Sequence, residues 1–199
     1  MAILLDASTK SNDAWRYILT FVVSIARNFN VNTNCVRVAV IRYADRADAS
    51  IALNRYGDIN SLQQAVGSLT LIGGNSNLLT ALQILRSQVF ARNVVRQGAT
   101  LVVGIVTDRL VCNTQITSEA NYWKTSRNAI ILGIAVTSTR AVDISCLSQI
   151  VSFNQYIEVA DYRLLNNYVS QAWPYACPVA TSAPPGPGTY VGAKCIASH

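Results

Sequence analysis

Apolar side chains recur along the first 173 residues in two rhythms. Unbroken runs at residues 2–5, 99–106 and 129–136 are strand-length. They lack the polar alternation of a half-exposed strand, as strands buried on both faces do. Between them lie stretches of helical spacing. Trp15, Ile18, Leu19, Val22, Ile25, Ala26 and Phe29 form the first stripe, with Ser11 placed to cap it and Asp13 in its first turn. Val36, Val38 and Val40 alternate with Arg37, Ala39 and Ile41, which predicts a strand over 36–44. A second short strand over 49–53 completes a hairpin. Helices are predicted over 59–69, 78–89, 117–128, 142–151 and 162–173, and a last strand over 155–159. Gly73-Gly74-Asn75-Ser76-Asn77 reads as a loop.

Strands alternating with helices predict an α/β fold, a doubly wound and mostly parallel central sheet with one antiparallel edge strand and helices on both faces. The character changes at Pro174. Ala183-Pro184-Pro185-Gly186-Pro187-Gly188 reads as a linker, so the domain is expected to span 1–175 and a Pro/Gly-rich tail 176–199. The chain has 199 residues, of which 13% are charged, too apolar for disorder. No apolar run reaches the ~20 residues of a membrane span. Residues 2–6 follow Met1 at once, inside a strand, so we expect a natural chain that starts upstream, with any signal peptide lost.

Composition removes several chemistries. The single histidine is His199, the last residue of the sequence, which nearly excludes a histidine-based triad, a zinc site or an imidazole general base. The Walker and dinucleotide glycine motifs are missing. A small-molecule enzyme using carboxylates at the sheet edge would need a base, a nucleophile and a cofactor loop, and the sequence offers no usable histidine and no phosphate cradle. The net charge is +6, with arginines scattered along the chain and no basic run interleaved with aromatics. Nucleic acid is therefore not the expected partner, whereas acidic glycans or acidic matrix proteins would suit such a surface. Cys35, Cys112, Cys146, Cys177 and Cys195 form no C-x-x-C pair. They are consistent with two disulfides and one odd cysteine in an oxidising compartment, or with buried thiols.

The candidate chemistry sits where strands end. In an open parallel sheet ligands bind beyond the carboxyl ends of the strands. Leu5 runs into Asp6 there, and Thr107 into Asp108. Hydroxyls follow at Ser8 and Thr9, and a third loop carries Asn75, Ser76 and Asn77. Oxygen ligands from three loops, without His or Cys, suit a hard cation such as Mg²⁺.

Ile3-Leu4-Leu5-Asp6-Ala7-Ser8 resembles the opening of a von Willebrand factor type A domain, an apolar strand followed by Asp-x-Ser-x-Ser. Gly73-Gly74-Asn75-Ser76-Asn77 resembles the family's second loop. Residues 101–108, ending Thr107-Asp108, resemble its third, which usually closes in Thr-Asp-Gly. Residues 37–44 and 131–136 match its second and late strands, and the order agrees over roughly residues 2–175. The resemblance implies a non-enzymatic, secreted adhesion module of the extracellular matrix, of the collagen-VI-like kind. Its partner would be a matrix protein such as a collagen, or an acidic matrix polymer bound without metal through a basic surface. It also implies a metal-ion-dependent adhesion site for Mg²⁺ or another divalent cation, built from Asp6, Ser8, Ser76 and Asp108.

Two positions depart from that pattern. Lys10 stands where the last serine of the first motif belongs, and Arg109 replaces the glycine after Asp108. An ammonium at ~4 Å from a carboxylate interacts by about 4 kcal/mol at an effective dielectric of ~20. Turned inward, Lys10 partly replaces a divalent cation; turned outward, it leaves room for one. On the family's fold, Cys112 and Cys146 come near one another at the carboxyl edge of neighbouring strands. Cys177 falls at the opposite edge, where Cys35 is its available partner.

Overall fold

The computed structural model describes residues 1–172 apart from Thr33, Arg92 and Arg140. The expected tail 176–199, with Cys177 and Cys195, lies outside the described residues. The central sheet has six strands. They are β1 (Ala2–Asp6), β2 (Ala39–Tyr43), β3 (Ala47–Ile51), β4 (Val102–Thr107), β6 (Ile130–Val136) and β8 (Tyr156–Val159), in the spatial order β3-β2-β1-β4-β6-β8. All pairings are parallel except β2 with β3. The doubly wound sheet with one antiparallel edge is thus the observed architecture.

The period of two decides which core each side chain joins. Ala2 and Leu4 of β1 enter one apolar cluster, Ile3 and Leu5 the other. A strand packed on both sides cannot alternate with polar residues, which is why the run is continuous. Helix α1 (Asn12–Ala26) covers one face. Ser11 accepts from the Ala14 amide at its start, and Trp15 donates its indole N–H to the Leu69 carbonyl at 2.7 Å. Helix α2 (Ile59–Gly67) joins it there, while α3 (Leu78–Ile84), α4 (Thr114–Asn121) and α5 (Ile144–Ile150) bury Leu82, Ile116 and Leu147 in the opposite cluster.

Several boundaries differ from the periodicity. The helix expected over 117–128 begins at Thr114, because Asn113 accepts from the Ile116 amide and caps it. Both α3 and α4 end in a wider π-type turn, over Leu85–Val89 and Tyr122–Ser126. The stretch expected as one helix over 162–173 is a 3-10 turn, Tyr162–Tyr168, followed by α6 (Val169–Ala172). A two-stranded parallel ribbon, β5 (Arg109–Leu110) with β7 (Ala141–Val142), follows the carboxyl ends of β4 and β6; two-residue strands leave no periodic trace.

At Gly133 of β6, an added Cβ would lie 2.9 Å from both Leu147 Cδ1 and Val151 Cγ1. The residue is glycine because α5 packs directly on the strand backbone. Gly133→Ala should cost about 1–3 kcal/mol and lower the melting temperature by roughly 2–12 °C. A thermal melt within 1 °C of wild type, roughly the error of the measurement, would remove this account of close packing.

Candidate functional site

The chain winds from β1 toward β3 in one direction and from β4 toward β8 in the other. The switch falls between β1 and β4, which places Asp6 and Asp108 side by side at the strand ends. Three loops converge on them. The first loop, residues 7–11, is tied to the second by the Thr9 amide, which donates to the Gly74 carbonyl at 3.1 Å, and by the Gly74 amide, which donates to Thr9 Oγ1 at 3.0 Å. The Ala7 carbonyl accepts from the amides of Ile72 and Gly73, each at 3.0 Å. Asp45, in the β2–β3 turn, accepts from the Asn75 amide at 3.1 Å. Gly74 has φ +81°, and a Cβ there would meet Asp45 Oδ2 at 2.0 Å, so only glycine fits this crossing of loops.

Asp6, Ser8, Lys10, Ser76 and Asp108 come together. Asp6 is fully buried and Asp108 is 2% exposed. Asp6 Oδ1 accepts from the Ser8 amide at 3.0 Å and the Ser8 hydroxyl at 2.6 Å. Its Oδ2 stands 2.7 Å from Ser76 Oγ and 3.0 Å from Thr107 Oγ1. Each of those hydroxyls carries one proton and has a second acceptor in the Arg109 carbonyl, at 2.9 Å and 2.8 Å. The two hydroxyls thus link the Asp6 carboxylate to the Arg109 carbonyl. Arg109, expected to modify the site as a cation, enters this network through its backbone carbonyl.

Lys10 decides the character of the cluster. Its side chain is 3% exposed, and its Nζ lies 2.9 Å from Asp108 Oδ1 and 3.5 Å from Asp6 Oδ1. The side chain points inward, and the ammonium bridges the two carboxylates. Tyr162, just past β8, donates its hydroxyl to Asp108 Oδ2. Burial, reinforced by that bond to Asp108, pushes this phenol far above the ordinary tyrosine range, so it remains a donor at all physiological pH. Tyr43, at the end of β2, is also fully buried beside the cluster. Burial, then the charge of Asp6, pushes its hydroxyl up as well, and that hydroxyl has no hydrogen bond of sound geometry among the described residues. Sequence reasoning missed Tyr43, Thr107 and Tyr162 as members of the site. Thr107 was within reach, as the hydroxyl beside Asp108; a tyrosine arriving from 54 residues downstream of Asp108 leaves no local signal.

The donor set as it stands does not fit a divalent ion. Mg²⁺ requires near-octahedral oxygens at about 2.1 Å. Here every carboxylate oxygen of Asp6 and Asp108 already accepts a hydrogen bond, and a like charge sits between them. Among the described residues, no group of three or more His, Cys, Asp or Glu side chains is placed to hold a metal. Cys112 and Cys146 are joined in a disulfide with Cα atoms 5.4 Å apart. The bridge ties the chain just after β5 to the first turn of α5, beside the ribbon that supplies the Arg109 carbonyl. The expected Cys35–Cys177 pairing involves a residue outside the described part.

A doubly wound sheet whose switch point gathers Asp-x-Ser, a Gly-Gly-x-Ser loop and Thr-Asp is the arrangement of a type A α/β domain. The chain belongs to the von Willebrand factor type A domain family, whose profile matches residues 1–171. It is 28% identical over 95 residues to the collagen alpha-1(XXI) chain of Xenopus laevis, covering 47% of this chain and 10% of that one. It is 31% identical over 77 residues to the human collagen alpha-6(VI) chain, covering 39% and 3%. Proximal thread matrix protein 1 from the mussel byssus has the same fold, with a TM-score of 0.79, 21% identity and coverage of 88% of this chain and 45% of that one. A further structure of that mussel protein has its metal-ion-dependent motif occupied by zinc. The chain thus spans a tenth or less of these collagens and under half of the mussel chain.

Proposed function

We propose that this chain is a non-enzymatic binding module of an extracellular matrix protein, and that it binds without a divalent cation. The collagen chains among its relatives support the setting. The single observation that carries metal independence is the buried Lys10 ammonium between Asp6 and Asp108. It supplies one positive charge where the family pattern has a serine, and it closes the cluster with hydrogen bonds instead of leaving an open coordination position. The cluster then serves as a rigid joint for three loops, and partner contacts fall to the loop surfaces around it. The carboxylates are sealed and committed to donors, which suits a structural joint better than acid–base work.

Calorimetric titration tests this directly. Wild-type protein should show no heat with millimolar Mg²⁺ or Mn²⁺ and no change in melting temperature on chelation. Lys10→Ser, which restores the family's hydroxyl, should bind Mn²⁺ and gain thermal stability from it. Saturable, chelator-reversible Mg²⁺ or Mn²⁺ binding by the wild type would overturn the reading.

A further inference from the structure

The charges that look scattered along the sequence are sorted by the fold. All ten carboxylate side chains of the chain fall among the described residues. Asp6 and Asp108 close their strands at the switch-point end. Asp13, Asp45, Asp143 and Asp161 stand in the turns and helix starts around them. Asp48 and Glu158 lie in the halves of β3 and β8 nearest that end. Of the remaining two, Glu119 is on α4 and pairs with Arg86 at 3.2 Å. That leaves Asp58, at the N-cap of α2, as the one carboxylate at the opposite end.

The opposite end is lined with cations. Arg55 follows β3, Arg37 precedes β2, and Arg127 precedes β6. Arg96 reaches the carbonyls of Asn34 and Cys35, each at 2.5 Å. Lys124 donates to the Gln149 carbonyl at 2.5 Å, below β8. Arg27 ends α1 and bonds the Gln63 side-chain oxygen at 2.5 Å. Arg27 and Arg55 are exposed, and the others are half-buried. The contacts recorded for Arg27, Lys124 and Arg127 are to carbonyl oxygens or to an aromatic ring; Arg55 faces the Tyr56 ring at 6.0 Å. Such partners hold a side chain in place without cancelling its charge. The tail 173–199 contains Lys194 and no carboxylate side chain.

We propose that this end of the domain is the docking surface for a linear sulfated polysaccharide, lying across the strand ends from Arg55 to Lys124. Six strands make a track of roughly 24 Å at ~4.8 Å per strand, with a cation at nearly every step, which matches a linear polyanion better than a point ligand. Five of the six cations are arginine, whose planar fork fits a tetrahedral oxyanion in bidentate fashion. Phe153 stands in the turn before β8 at φ +53° and is 86% exposed, a flat apolar face for the C–H side of a sugar ring. One almost fully exposed aromatic at the margin is too few for the stacked platforms of single-stranded nucleic acid, and too small an apolar face for a membrane surface. The proposal takes only its setting from the matrix reading above. It is read by polymer binding, whereas that reading is tested by metal titration, so either can fail alone.

The experiment uses the full chain and heparin oligosaccharides in calorimetry, with matched desulfated oligosaccharides, oligo-dT and phosphatidylserine vesicles as the other arms. Binding should weaken roughly a hundredfold between ~50 and ~200 mM NaCl, the slope of about four neutralised charges, and should ignore chelators. Arg27→Gln/Arg55→Gln should bind about tenfold more weakly with an unchanged melting temperature. Arg16→Gln/Arg163→Gln, which removes equal charge elsewhere, should bind as wild type. Equal losses in the two double variants would show a non-specific net-charge effect and overturn the proposal. So would undiminished binding of the desulfated polymer, equal or tighter binding of oligo-dT or vesicles, or no heparin binding at ~20 mM salt.

Discussion

Lys10→Met should destabilise the protein by about 3–5 kcal/mol and lower its melting temperature by roughly 6–20 °C. The methionine fills nearly the same volume, so packing is little changed, but two buried carboxylates then face each other without a countercharge. Taking charges out of water is expensive, and removing one member of a buried ion pair leaves that expense uncompensated. Adding Asp108→Asn to Lys10→Met should recover a large part of the loss, because the variant then buries one carboxylate that keeps its hydroxyl donors from Ser8 and Ser76. This non-additivity separates a charge effect from damage to the loop. A Lys10→Met variant that melts within about 2 °C of wild type would mean that the ammonium does not hold the carboxylates together.

Removal of the Cys112–Cys146 bridge comes next in size. The bridge closes a loop of 34 residues, and loop-closure entropy alone puts its contribution at about 4 kcal/mol. Cys112→Ser/Cys146→Ser should therefore melt roughly 8–16 °C lower than wild type, and dithiothreitol should bring the wild type most of the way to the variant. The loss should not be purely global. The bridge anchors the β5–β7 ribbon, which presents the Arg109 carbonyl to Ser76 and Thr107, while Thr139 donates to the Asp108 carbonyl at 2.7 Å. Amide exchange in residues 107–113 and 139–146 should rise before the central strands open. Uniform exchange across the sheet would assign the bridge a role in the unfolded chain only.

The fold was legible because its signal is long and redundant. Strands β1, β4 and β6 are buried on both faces, so their apolar runs are unbroken, and α1 has a full stripe with a cap. The signal fades where tertiary contacts override local preference. The β5–β7 ribbon is two residues per strand, and the stretch before α6 follows a helical rhythm yet folds as a tighter 3-10 turn. The cluster was legible in part for the same reason. Asp6, Ser8, Ser76 and Asp108 announce themselves by lying at strand ends or in a glycine loop, whereas the inward turn of Lys10 depends on the space left by three converging loops. Tyr162 reaches Asp108 only through the three-dimensional fold. The positive charge looked dispersed because sequence order visits the two ends of a parallel sheet in alternation; the returns to β2, β4 and β6 bring Arg37, Arg96 and Arg127 to the same end.

Met1 precedes β1 at the pole opposite Asp6, where its amino group donates to the Arg37 carbonyl at 2.7 Å, and Ala172, at the end of α6, lines the same cavity beneath α1. A module joined through either residue attaches at that pole, and tension carried along such a string would pass by the base of the domain. The Asp6–Lys10–Asp108 joint would hang at the free tip, outside the path of the load, with its three loops turned toward whatever lies beyond.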